Sequence, residues 1–195
     1  MTMLRTFIAI ALDEELRSNL DRLQENLSER MPPRSVRWVR PEGIHLTLKF
    51  LGDTQPQLVD RVKAALEQAA TQIRPFSFTV GGLGCFPSTR RPRVVWVGLH
   101  EPSGRLAHLR DCIEAEVAPL GFPTERRPFS PHLTLGRVQR RASSSEVREI
   151  GQVVAASTLG TVDEMAVTEV LFMKSDLRPT GAVHTILGRA RLPDA

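Results

Sequence analysis

The chain contains the tetrad His-Leu-Thr-Leu twice, at residues 45–48 and again at 132–135, although it has only five histidines in 195 residues. In a β-strand successive side chains point to opposite faces. Within the first copy, His45 and Thr47 therefore share one face, and Ile44, Leu46, Leu48 and Phe50 share the other. The second copy repeats this, with His132 and Thr134 opposed to Leu133 and Leu135. Each copy reads as a strand with an apolar face for a core and a His/Thr face for something else. A single strand threonine is ordinarily present for its β-propensity, and a single strand histidine is ordinarily a half-buried polar residue. One copy in each half of the chain points instead to two similar units that present the same polar face to a shared place.

The remaining patterning supplies the units. Residues 4–12 are apolar and read as a first strand. Leu12, Leu16, Leu20, Leu23 and Leu27 recur at helical spacing until Pro32-Pro33 stops them. A short strand, SVRWV, precedes the first tetrad. Leu58, Val62, Leu66, Ala69 and Ile73 mark a second helix between Pro56 and Pro75. FSFTVGGLGCF and residues 94–99 read as strands, and Leu106, Leu109, Ile113 and Val117 as a third helix. After the second tetrad, Val147, Ile150 and Val154 mark a helix behind a serine run. VDEMAVTEVLFMKS reads as one long strand and AVHTIL as the last. Helices and hairpin-like strands are mixed, which predicts an α+β fold with mainly antiparallel sheets. The basic stretch RVQRRASSSE is expected to be the most mobile loop.

Composition narrows the class. Hydrophobic residues make up 41% and charged residues 25%, as in a folded globular chain. The net charge of +4 is carried by 23 arginines against 3 lysines. Arginine codon bias accounts for such a balance, and so does a surface that attracts phosphate, because guanidinium is a planar fork matched to phosphate oxygens. Cys85 and Cys112 form neither a metal-spaced pair nor a disulfide framework, so a reduced, cytoplasmic chain is expected. The apolar run 7–12 is too short for a signal peptide and meets Asp13-Glu14-Glu15. No stretch has the length of a membrane span, so no membrane partner is expected.

Two histidines facing each other suit acid–base chemistry near neutral pH. One can take a proton from an entering oxygen while the other gives one to a leaving oxygen. In-line displacement at phosphorus needs both, and Thr47 and Thr134 could donate hydrogen bonds to the non-bridging oxygens. Zinc is the competing reading. It would need further ligands, and neither tetrad carries a carboxylate: the residues directly after them are Lys49 and Gly136. No metal or cofactor is expected.

With its flanks, the pattern resembles the RNA 2′,3′-cyclic phosphodiesterase family, historically called 2′-5′ RNA ligases, within the two-histidine (2H) phosphoesterases. The family's two H-x-T-x motifs match His45-Leu46-Thr47-Leu48 and His132-Leu133-Thr134-Leu135. RTFIAIAL, WVRPEGIHLTLKFLGD, GGLGCFPSTRRPRVVWVGL, RPFSPHLTLGR and LFMKSDLRPTGAVHTIL extend the resemblance over nearly the whole chain. It implies a single domain over 1–195 made of two intertwined, pseudo-symmetric lobes around a central cleft, with one motif in each. It implies His45 as proton donor to the leaving oxygen and His132 as the base that activates water. The reaction would open a terminal 2′,3′-cyclic phosphate to a 2′-phosphomonoester, and its reverse would form a 2′-5′ linkage. The partners implied are RNA ends or nucleotides bearing a 2′,3′-cyclic phosphate. A monomer is expected, because a pseudo-two-fold inside one chain already completes the site.

Arg137 matches the arginine that comes after the family's second motif and would bind phosphate. Regular alternation would turn it away from His132, so a bend or bulge near Gly136 is expected. Phe129 could stack on a base, or could simply flank the strand as a core residue. Lys49 shares the face of His45 by alternation and would add positive potential there, or would simply mark a solvated strand end. The family often carries tyrosine where this chain has His184, which is read here as structural or surface. Two readings compete with RNA-end hydrolysis: a nucleotide- or RNA-binding module without turnover, and a cyclic phosphodiesterase for a small nucleotide such as an ADP-ribose cyclic phosphate.

Overall fold

The computed structural model describes residues 2–178 and 181–194. Among the described residues, nine strands and four helices occur in the order β1 (Leu4–Ala11), α1 (Glu14–Arg30), β2 (Val36–Trp38), β3 (His45–Thr54), α2 (Val59–Ala70), β4 (Phe76–Phe86), β5 (Val94–His100), α3 (Arg105–Val117), β6 (His132–Val138), α4 (Ser144–Ala156), β7 (Thr161–Val167), β8 (Glu169–Arg178) and β9 (Gly181–Arg191). Every strand pairing among these residues is antiparallel. The α+β expectation holds. The strands form one continuous sheet, β7-β4-β5-β6-β3-β1-β8-β9, with β2 added on β6. It curls into a half-barrel.

The helix boundaries obey local chemistry. Asp13 caps α1 by accepting from the Leu16 amide at 2.8 Å, and Glu14 and Glu15 sit in the first turn, where the helix dipole favours negative charge. Leu16, Leu20, Gln24 and Leu27 form its buried stripe. The stretch expected to be the most mobile loop comprises a strand end, a tight turn closed by Ala142 N–H donating to Gln139 O, and the start of α4. Ser143 and Glu146 form a reciprocal capping box there.

The segment read as one long strand is two. β7 pairs with β4, whereas β8 pairs with β1, so the chain passes from one half of the sheet to the other at Thr168. The buried positions change phase there, from Met165 and Val167 to Val170 and Phe172 with Glu169 between them, a break that the apolar content of the stretch conceals.

The helices cover one face of the sheet, and α1 and α3 exchange halves in doing so. α1 comes after β1 but packs on β7, α3 comes after β5 but packs on α2 and β3, α2 lies on β8 and β9, and α4 lies on β4. The core is the apolar faces of these strands, including Ile8, Ile10, Leu46, Val95, Val97, Leu133 and Leu135, all 1% exposed or less.

Lys49 is part of that packing. It lies 5% exposed, with Nζ 2.7 Å from Glu114 Oε2 on α3 and also donating to Pro123 O. It therefore adds no potential beside His45, contrary to the alternation reading. Breaking one side of a buried ion pair leaves an uncompensated charge. Lys49→Met is expected to lower stability by about 3–5 kcal/mol, and Lys49→Met/Glu114→Leu to recover most of it in denaturant titrations. Equal loss in both variants would contradict a paired role for the two charges.

Candidate active site

The two tetrads meet at the centre of the sheet. Among the described residues, β3 and β6 share a single register pair, Leu46 with Leu133, both fully buried. Counting outward from an antiparallel pair, His45 comes opposite Thr134 and His132 opposite Thr47. The pseudo-two-fold axis thus passes between the two leucines, and all four polar side chains lie on the face away from the helices.

Each strand is then bulged at the same place. Across β1 and β3 the register runs Ala11–His45, Ala9–Thr47, Ile8–Lys49, Phe7–Phe50, so Leu48 is the extra residue. Across β5 and β6 it runs Gly98–His132, Trp96–Thr134, Val95–Gly136, Val94–Arg137, so Leu135 is the extra residue. A bulge reverses the parity of the residues beyond it. Arg137 therefore joins His132 and Thr134 on the polar face, as the expected bend required, although the extra residue is Leu135 rather than Gly136. By the same shift Phe50 joins His45 and Thr47, where alternation had put it on the core face. Phe50 is 61% exposed. The two lobes thus offer an aromatic ring and a guanidinium at equivalent positions.

The second bulge is held from below. Gln24 of α1, 4% exposed, donates through Nε2 to Leu135 O at 2.7 Å and to Val39 O at 2.8 Å. Leu135 O also accepts from Val39 N–H at 2.8 Å, so Gln24 ties the bulge to the segment that comes after β2.

Both histidines are oriented alike. His45 Nδ1 lies 2.8 Å from Gly43 O, and His132 Nδ1 lies 2.8 Å from Ser130 O. A carbonyl only accepts, so each Nδ1 carries the hydrogen and each Nε2 is left free to gain or lose a proton. The strand beside each ring carries a small residue at the paired position, Ala11 or Gly98.

The ring environments differ. His45 stacks on Phe7 at 4.7 Å and meets the edge of His184 at 4.9 Å. His184 also lies 5.1 Å from Phe7. His132 meets Phe86 edge-on at 4.8 Å, with Trp96 6.2 Å away. The Trp96 ring covers Gly84, where a Cβ would come within 2.3 Å of it. Burial, then the charge of His184, push His45 down to about 4, and the bond to Gly43 opposes them only in part. Burial also lowers His184.

His184, read from the sequence as structural or surface, is therefore a third ring of the site. It comes from β9, remote in the chain, and the one signal was its replacement of the family's usual tyrosine. Phe129 does not supply a free platform: its ring is half-buried against the core, with Arg110 Cζ 5.1 Å above it. An exposed aromatic ring on the face of the histidines is Phe50, 6.0 Å from Phe7. Among the described residues, no group of three or more His, Cys, Asp or Glu is arranged to hold a metal ion. Among those residues, too, no helix is long and apolar enough to cross a membrane.

A LigT-like phosphoesterase model matches the chain twice, over residues 10–96 and 97–184. An RNA 2′,3′-cyclic phosphodiesterase of Methanothermobacter thermautotrophicus is 34% identical over 189 residues, covering 96% of this chain and 98% of the relative. One from Thermotoga maritima is 33% identical over 184 residues, covering 94% and 93%. Among solved structures, a Thermus thermophilus protein superposes with a TM-score of 0.79 at 27% identity, covering 98% and 99%. Escherichia coli LigT complexed with 3′-AMP superposes with a TM-score of 0.73 at 28% identity, over the same shares.

The ring contacts generate two measurements. Replacing His184 removes a positive neighbour, so His184→Gln should raise the pKa of His45, read from the titration of its ring resonances. An unchanged titration would show that His184 does not act on His45. The folded state disfavours the charged His45 ring, so between pH 6.5 and about 4 the unfolded chain binds the extra proton. Stability should fall as pH drops through that window, by on the order of 3 kcal/mol from this ring. His45→Gln should flatten that part of the stability profile.

Proposed function

The chain belongs to the LigT-like phosphoesterase family, and from that premise we propose that it is a cyclic phosphodiesterase that opens RNA or nucleotide 2′,3′-cyclic phosphates to 2′-phosphomonoesters. The observation that carries the reading is the pair of equivalent histidines, each with Nδ1 tied to the carbonyl two residues before it and Nε2 free. The family relatives named as RNA 2′,3′-cyclic phosphodiesterases support the substrate class.

In this reading the cyclic phosphate sits over the Leu46–Leu133 seam. Thr47 and Thr134 donate to its non-bridging oxygens, and Arg137 adds a charge-assisted contact. His132 Nε2 takes a proton from water as its oxygen attacks phosphorus. His45 Nε2–H gives a proton to the departing 3′ oxygen, so the ring opens with the phosphate left on the 2′ oxygen. The proton on His45 is drawn by the substrate: a phosphate anion between the rings favours the imidazolium that burial disfavours in the free protein. Phe50 offers a stacking surface for the terminal base. The same ring opening with a 5′-hydroxyl in place of water would form a 2′-5′ linkage, the P–O3′ bond breaking and the 3′ oxygen taking the proton, and hydrolysis dominates in water by mass action. The site needs no metal in this scheme.

Turnover of 2′,3′-cyclic AMP and of a short RNA with a cyclic end, both in EDTA, tests the proposal. Wild type should release a 2′-phosphate. His45→Ala and His132→Ala should each lower kcat by about 10²-fold or more while the fold is retained. Arg137→Ala should act mainly on kcat/KM. Binding without product release by the wild type would favour a phosphate-binding module instead.

A further inference from the structure

Three chain segments far apart in sequence end together at one end of the sheet. β2 pairs with β6 so that Arg37 lies across from Arg137. β5 pairs with β6 so that Val94 lies across from Arg137. Just beyond, Val138 N–H donates to Arg93 O at 3.0 Å and Gln139 N–H to Ser35 O at 2.7 Å. Arg34 and Arg141 line one surface hollow with Ser35 and Glu146. Arg90 and Arg91 lie in the turn leading to β5, whose Arg93 N–H donates to Phe86 O at 2.8 Å.

Residues 34–37, 90–93 and 137–142 together contain eight arginines and no aspartate or glutamate. All eight are exposed. Among the described residues none of them forms an ion pair. The neighbouring carboxylate of Glu146 is engaged by the Ser143 amide in the capping box. Eight unpaired like charges repel one another, and a polyanion relieves that repulsion.

The geometry points to this arginine-rich end as the seat of the RNA chain that leads up to the reacting terminus, so that the enzyme acts on polynucleotides in preference to mononucleotides. The inference rests on the proposed hydrolysis of cyclic-phosphate RNA ends. Continuity with the site selects RNA as the partner. Arg137 belongs both to the patch and to the face of His132, and the patch runs on from it along the direction of β6. Arg37 lies directly across from Arg137, whereas Arg140 and Arg141 come three and four residues after it and Arg91 and Arg90 three and four residues before its partner Val94, beyond the reach of a single bound nucleotide. The three segments contain no aromatic residue. Contacts there are to phosphates rather than bases, which holds the strand without reading its sequence.

The test compares 2′,3′-cyclic AMP with a ten-nucleotide RNA ending in a cyclic phosphate, on wild type and on Arg90→Ala/Arg91→Ala/Arg140→Ala/Arg141→Ala. Wild type should prefer the RNA in kcat/KM, with a steep fall as salt rises, since each phosphate contact contributes about 0.7 to the logarithmic slope. The variant should keep cyclic AMP turnover and its melting temperature, lose about tenfold or more on the RNA, and show a shallower salt slope. Replacing the same four residues by lysine should retain most of that slope. Fluorescence anisotropy with an RNA bearing a terminal 2′-phosphate reads the patch without turnover. If wild type opens neither substrate, the proposed reaction fails, and anisotropy alone decides the patch. Equal rates and slopes on both substrates, equal loss on both in the variant, or unchanged RNA binding would each overturn the inference. Binding of the wild type to phosphatidylserine vesicles, lost in the variant while RNA binding is unaffected, would overturn it in favour of a lipid surface.

Discussion

The backbone pairing of Leu46 with Leu133 is the contact on which the arrangement depends. It joins two four-stranded halves edge to edge at the point where the tetrads cross. Because side chains alternate, burying both leucines on the helix side obliges the histidines and threonines on either side of them to face the other way. A slip of one residue in either strand would bury that half's His/Thr pair and expose its leucines, so the apolar burial of the core and the geometry of the site are enforced by the same register.

The bulges after each tetrad are the second device. Without them, residues 50 and 137 would be core residues, which suits phenylalanine but not arginine. Each bulge is supported from the helix side by a polar group of the helix that crosses from the other half. Gln24 of α1 reaches the Leu135 carbonyl, and Glu114 of α3 holds Lys49, the residue after Leu48. The helix exchange seen in the packing thus has a local purpose: each half supplies the support that fixes the other half's strand.

The symmetry stops at the rings. The His45 side is enclosed by Phe7 and His184, and the His132 side by Phe86 and Trp96. The first half carries Phe50 where the second carries Arg137. Two histidines with the same backbone restraint therefore meet different solvation and different neighbours. That difference supports the unlike duties in proton transfer that we propose for the two halves.

The sequence by itself determined the α+β class, the helices and most strands, and the common polar face of His45 with Thr47 and of His132 with Thr134, because alternation and helical spacing are local and each tetrad carries both its core face and its polar face. It also showed that Arg137 conflicted with regular alternation. The tertiary structure decided what local periodicity cannot hold. The bulges at Leu48 and Leu135 turned Phe50 to the site and Lys49 into the core, since a parity change depends on the partner strand. The change of partner at Thr168 split one apparent strand into two. His184 reached His45, and arginines from three segments converged, because both are contacts between elements far apart in the chain. Such contacts are set by strand order and helix packing, to which no local pattern of residues is sensitive.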